Sequence, residues 1–177
     1  LTLKSLQNHH NAGRWKRKKM NDTLLNGTWK GSYQFYLFPV GTDNENNENS
    51  EDFEPILEDI KFNFEVKFES SNGEFIGQAI EETIKFDKPI LIKGFFENDF
   101  ISFEKKYPYL WTVDEDGNNI LDKTKPHNKI YKTGVYDEIK MTLSGDWEMP
   151  VEIINNYDGV INDAYCAGIW ELKKVNS

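Results

Sequence analysis

The sequence predicts an all-β protein of about eight antiparallel strands, arranged as an up-and-down meander and closed into a barrel. Three observations carry this. Phe, Trp and Tyr make up 14% of the 177 residues, and large rings prefer a pleated surface. Several segments alternate apolar and polar residues with a period of two, the mark of a half-buried strand. Most connections are too short for a crossover helix, which forces antiparallel neighbours.

The alternation starts at Gly27 and runs through Trp29, Gly31, Tyr33 and Phe35. It returns in Ile60-Lys61-Phe62-Asn63-Phe64-Glu65-Val66-Lys67-Phe68. Asn72-Gly73 then supplies the positive φ angles of a tight hairpin. Further strands are predicted at 74–82, 89–97, 100–107, 129–138, 140–149 and 167–174, with a short turn at Asn98-Asp99. A meander of this length leaves two exposed edges unless its first strand pairs with its last, so closure is favoured. An open sheet packed on an N-terminal helix is the competing arrangement.

Two segments stand apart. Residues 1–24 form a basic arm, where Leu3, Leu6 and Gly13 outline a short helix. Residues 25–177 form one barrel domain, interrupted at 39–55 by an acidic, Asn-rich loop of low complexity. The net charge is -9, but residues 1–20 hold six cations and no acid, so the remaining 157 residues carry 15 basic and 30 acidic groups. Such a body repels nucleic acid and anionic membranes, and only the arm could attract them. No apolar run reaches the roughly 20 residues that span a bilayer. Cys166 is the single cysteine, which favours a reducing compartment. The expected location is therefore intracellular, cytoplasmic or nuclear. The Arg- and Lys-rich arm also keeps an organelle address open.

Three strands carry Gly-x-Trp: Gly27-Thr28-Trp29, Gly145-Asp146-Trp147 and Gly168-Ile169-Trp170. Gly134-Val135-Tyr136 is an aromatic variant. The spacing puts Gly and ring on one face, where Gly is expected to make room for the ring two residues on. With the meander, this pattern resembles the calycin superfamily of lipocalins, fatty-acid-binding proteins and avidins, and Gly27-Thr28-Trp29 resembles the first strand of avidins. The resemblance implies a barrel but no ligand, because the avidin position for a polar biotin contact holds Lys30, expected to point outward. The signal, disulfide and C-terminal helix of typical lipocalins are also not visible.

Reaction chemistry is hard to find. Asp114-Glu115-Asp116-Gly117-Asn118-Asn119-Ile120 echoes an EF-hand loop, but Asn119 and Lys125 stand where Gly and a bidentate Glu are needed. It reads as a solvated loop. Glu81 and Glu82 are neighbours on one strand and face opposite sides, so they cannot form an acid/base pair with each other. His9, His10 and His127 form no cluster on a strand face, and Cys166 reads as a buried inert thiol. No metal, cofactor or catalytic residue is assigned.

The inward set is read as Trp29, Tyr33, Phe35, Phe62, Phe64, Phe68, Ile101, Phe103, Leu143, Trp147, Trp170 and Leu172. These rings would fill most of the lumen of an eight-stranded barrel, leaving few polar groups to orient a ligand. The sequence thus predicts a non-enzymatic binding module, a packed barrel that contacts another protein or domain through its arm or loops. Arg14, Trp15, Lys16, Arg17, Lys18 and Lys19 are the partner-binding candidates. The alternative is a binding protein for a small apolar ligand in the lumen, contacted by Trp29, Tyr33, Phe64, Phe103, Trp147 and Trp170.

Overall fold

The computed structural model describes residues 20–37, 56–113, 118–154 and 161–175. The arm candidates Arg14 to Lys19, the outlined helix around Leu3 and Leu6, the acidic loop 39–55 and the Asp-Gly turn at 116–117 lie outside these residues.

One short helix precedes the strands: α1 (Asp22–Leu25). The strands are β1 (Gly27–Leu37), β2 (Ile56–Leu57), β3 (Phe62–Ser71), β4 (Glu74–Glu81), β5 (Ile90–Glu97), β6 (Phe100–Lys106), β7 (Leu110–Val113), β8 (Asn119–Asp122), β9 (Ile130–Asp137), β10 (Thr142–Ile154) and β11 (Ile161–Lys174). Eight of them, β1, β3 to β6 and β9 to β11, pair in that order as an antiparallel meander. Pairing of β11 with β1, from Trp29 opposite Lys174 to Phe35 opposite Gly168, closes the barrel. All eight strands fall where the alternation predicts them, although β10 and β11 run several residues further as a long hairpin. The open-sheet alternative is excluded. The structure adds a hairpin the sequence reading treated as loop, β7 with β8, whose four-residue strands are too short to show a period.

Close approach across the seam requires glycine. A Cβ on Gly31 would lie 1.8 Å from the Glu171 carbonyl oxygen, and one on Gly168 would lie 1.8 Å from that of Gln34. The glycines do make room for rings, but for rings one or two strands away rather than the Trp two residues on. A Gly168 Cβ would meet the Trp147 indole at 2.7 Å, and a Gly134 Cβ would meet the Trp170 ring at 2.7 Å. Both indoles therefore reach across the sheet. Trp147 donates to the Gln34 carbonyl at 3.0 Å, and Trp170 donates to those of Thr133 and Asp146 at 3.1 and 3.0 Å.

The two ends of the barrel differ. At one end the strands turn tightly, with Asn72 (φ 56°) and Gly73 (φ 82°) in the expected hairpin and Asn98 (φ 58°) in the β5–β6 turn. α1 plugs this end. Asn21 caps it, accepting from the Leu24 N–H at 2.9 Å, and the Asp22 carboxylate accepts from the N–H groups of Asn72 and Gly73 at 3.0 and 3.4 Å. Leu25 and Met20 are buried here with Trp29, Phe68, Ile101, Leu143 and Leu172, and the Trp29 indole donates to the Leu25 carbonyl at 2.8 Å.

The opposite end holds the longer described connections, 82–89 and residues 107–113 and 118–129. Residues 107–113 and 118–129, which carry β7 and β8, fold over this mouth. Asn119 bonds the Thr83 carbonyl at 2.9 Å, Lys123 pairs with Asp87 at 2.7 Å, and Asn128 bonds the Pro150 carbonyl at 2.8 Å. Lys30 points outward as expected and pairs with Glu65 at 2.8 Å. No helix among the described residues is long and apolar enough to cross a membrane.

Replacing Gly168 by Ala forces the seam strands apart and is expected to cost about 1–3 kcal/mol. Denaturant unfolding checks this. A Gly168→Ala variant as stable as the parent would show that the closure does not depend on close backbone approach.

Candidate functional site

The lumen is filled with rings, as the alternation implies, but it is not free of charge. Glu81, Lys105 and Lys132 are 3%, 1% and 2% exposed, and all three point inward near the open end. This corrects the expectation that inward positions offer few polar groups. Each lies on the inward phase of its strand. Glu81 follows Phe75, Gly77 and Ala79 on β4. Lys105 follows Ile101 and Phe103 on β6, and Lys132 lies between Ile130 and Gly134 on β9. Continuing that phase into the charged residues is the signal that would have found them. The run Glu104-Lys105-Lys106 hides it, because charge occupies both faces. Glu82 faces outward and accepts from Asn63 at 3.0 Å, so the two glutamates do sit on opposite sides.

Glu81 is the hub of the cluster. One carboxylate oxygen accepts from the Lys105 ammonium and from the Tyr107 hydroxyl at 2.5 Å, and the other accepts from the Tyr33 hydroxyl at 3.5 Å. Charge-assisted bonds of this kind are the strong ones. The Lys105 nitrogen also sits 5.1, 4.9 and 4.8 Å from the ring centres of Tyr33, Phe64 and Tyr107. The Lys132 nitrogen lies 5.0, 5.1 and 5.7 Å from those of Tyr33, Phe64 and Trp170. The two lysine nitrogens thus share Tyr33 and Phe64 as ring neighbours, at cation–π distance when protonated.

Burial opposes every charge here. It holds the Lys105 amine below its ordinary value although Glu81 pulls it back up. It holds Lys132 well below, helped by repulsion from Lys105 and offset in part by Glu81. Burial also raises the Tyr33 and Tyr107 hydroxyls, with the Glu81 charge adding to it. The His127 imidazole is lowered, first by burial.

Above the cluster lies an aromatic mouth. His127 stacks over Trp111 with ring centres 6.1 Å apart and packs on Tyr107 at 4.6 Å. Phe35 meets Trp147 edge-on at 4.8 Å. Tyr33, Phe35, Lys105, Tyr107, Trp111, His127, Ile130, Lys132, Trp147 and Met149 enclose a cavity of about 30 Å³, room for about one or two waters. The Trp111 indole nitrogen is buried and has no acceptor among the described residues. Larger depressions, of about 430, 460 and 830 Å³, lie on the outside of β3 to β6, against β1, β3 and β4, and beneath the 82–90 segment.

Of the six lumen candidates, Tyr33 and Trp147 line this cavity, and Phe64 and Trp170 pack against the lysines. Phe103 meets Trp170 edge-on a layer below, with centres 5.2 Å apart, and Trp29 sits at the plugged end. Cys166 is half-buried, and burial raises its thiol. Among the described residues no three His, Cys, Asp or Glu side chains group as a metal site. No protein-family model, curated protein or solved structure matches this chain.

A buried pair loses much when one partner goes, whereas a lysine whose charged form burial disfavours can be replaced by an apolar side chain of similar length with gain. Glu81→Gln is therefore expected to cost about 3–5 kcal/mol, and Lys132→Met to stabilise the fold near neutral pH. The gain depends on pH. The unfolded chain keeps the Lys132 proton up to its ordinary value of 10.5, and the folded chain loses it earlier. Parent stability accordingly rises with pH across that interval, by up to about 1.4 kcal/mol per unit for one proton. Lys105 contributes in the same direction. Denaturant unfolding at several pH values checks both. Equal slopes in the parent and Lys132→Met would show that Lys132 is solvated.

Proposed function

We propose that this chain is a non-enzymatic binding module in which a packed barrel is the scaffold and a small molecule is recognised at its open end. One observation carries the reading: the charges buried in the lumen are gathered at the end where the long connections meet. Each ion costs several kcal/mol to desolvate, and the plugged end shows that this barrel can fill itself with apolar side chains. Perturbed ionisable groups beneath an aromatic mouth are a common mark of a functional site.

The chemistry fits recognition better than turnover. Glu81 is already committed to Lys105, Tyr107 and Tyr33, which holds the polar groups in fixed positions. The ligand is a molecule, or the head of one, small enough for the 30 Å³ beside the lysines, with Phe35, Trp111, Trp147 and Met149 as the apolar wall. The meander, one plugged end and one open end support placing the chain beside calycin barrels, and the single cysteine supports a reducing compartment.

The protein-partner reading rests on a different surface. Phe95, Phe100 and Val135 are 49%, 40% and 50% exposed and adjoin on the outside of β5, β6 and β9. The Phe95 and Phe100 rings are 6.2 Å apart. Exposed apolar patches of this kind mark contact sites.

Native mass spectrometry of the chain isolated from its source separates the two. The expected result is a small molecule retained on the parent and lost from Ile130→Trp, which fills the mouth. A bare parent chain overturns the proposal. So does a retained protein that Ile130→Trp keeps and Phe100→Ser releases.

A further inference from the structure

The cavity at the open end is rich in hydrogen-bond donors. Its polar lining consists of two lysine amines, two phenols, one indole N–H and one imidazole, from Lys105, Lys132, Tyr33, Tyr107, Trp111 and His127. Glu81 is the carboxylate of the cluster, and its oxygens are occupied by Lys105, Tyr107 and Tyr33. The Trp111 N–H is buried without an acceptor among the described residues. A buried donor left unpaired costs about 1–3 kcal/mol, and burial keeps Lys132 from holding its proton without a counter-charge. What would meet both needs is an acceptor with a negative charge.

We propose that this cavity is a binding site for one small monoanion, either a halide or the carboxylate head of an organic molecule, held between Lys132 and Lys105 beneath Trp111. The inference rests on the reading of the open end as the recognition site and names the charge of what is recognised there. Three features support it. With both lysines protonated, the cluster carries two positive charges against one negative. The volume of about 30 Å³ suits a single small group rather than a phosphate or a sulfate. The surrounding rings of Phe35, Trp147 and Tyr107 exclude water, which strengthens an ion pair relative to the same pair in solvent.

Binding is then coupled to a proton. The anion supplies the counter-charge that Lys132 lacks, so its arrival favours the ammonium form. The other ionisable groups around Lys132 are Tyr33 from β1, Glu81 from β4, Lys105 from β6, and Tyr107 and His127 from the 107–129 segment. β3, β10 and β11 present the uncharged rings of Phe64, Trp147 and Trp170. Burial holds Lys132 toward the neutral amine in the free protein, so affinity falls as pH rises and a proton is taken up with the anion.

Thermal unfolding of the intact chain tests this, with chloride, bromide, formate and acetate compared against sulfate at matched ionic strength. The expected result is a rise in Tm with at least one small monoanion beyond the sulfate control, larger at mildly acidic than at mildly alkaline pH. Lys132→Met should abolish the rise, and this variant keeps the fold because it removes a buried charge. Trp111→Phe, which deletes the N–H and retains the ring, should weaken binding about ten- to a hundredfold, the ordinary worth of a hydrogen bond to a charge. A response to halides alone identifies an inorganic ion. A response to formate and acetate alone identifies the head of an organic ligand. The inference is overturned if no monoanion exceeds sulfate, or if Lys132→Met responds as the parent does. An organic molecule retained in native mass spectra together with no anion response would overturn this inference and leave the binding-module reading standing.

Discussion

The whole molecule depends on the closure between β1 and β11. It turns a meander with two open edges into a barrel with none, and so creates an inside. It requires the two backbones to approach more closely than a Cβ permits at Gly31 and Gly168. The space left at Gly168 and Gly134 is taken by the indoles of Trp147 and Trp170, from one and two strands away, and their N–H groups reach backbone carbonyls across the sheet. One device thus brings the strands together, fills the lumen and satisfies the polar atom of each ring.

That arrangement also explains why the barrel is asymmetric. Near the plugged end the lumen is closed by rings, aliphatic side chains and α1, with the donors of the helix and hairpin turn satisfied by Asn21 and Asp22. Toward the open end the same inward phase brings in Glu81, Lys105 and Lys132. Tyr33 and Phe64 form the floor beneath both lysine nitrogens, and the hairpin of β7 and β8 carries Trp111 over the top. A region where stability alone would favour apolar side chains instead holds ions, the kind of local conflict that proteins tolerate at functional sites.

Much of this was legible in the sequence, for physical reasons that differ along the chain. Period-two alternation identified all eight barrel strands because each has one buried and one solvated face. Asn72-Gly73 identified its hairpin because few other pairs adopt positive φ twice. The Gly-x-Trp repeats identified a tapered interior, but not which glycine serves which ring, because that depends on register between strands. The charged lumen was missed at Glu81, Lys105 and Lys132 because charge was read as solvation, while the phase set by Ile101 and Phe103, or by Ile130 and Gly134, carries the side chain inward regardless. The hairpin of β7 and β8 was missed because strands of four residues offer no period to read.

The central claim is that the open end holds an ionisable cluster cut off from water. The most direct test is an NMR titration of the Lys132 side chain, assigned by comparison with Lys132→Met. The account predicts that this amine titrates below the ordinary lysine value and apart from the surface lysines. Titration together with the surface lysines would mean that water reaches Lys132 and that the lumen is not the closed, charged site described here.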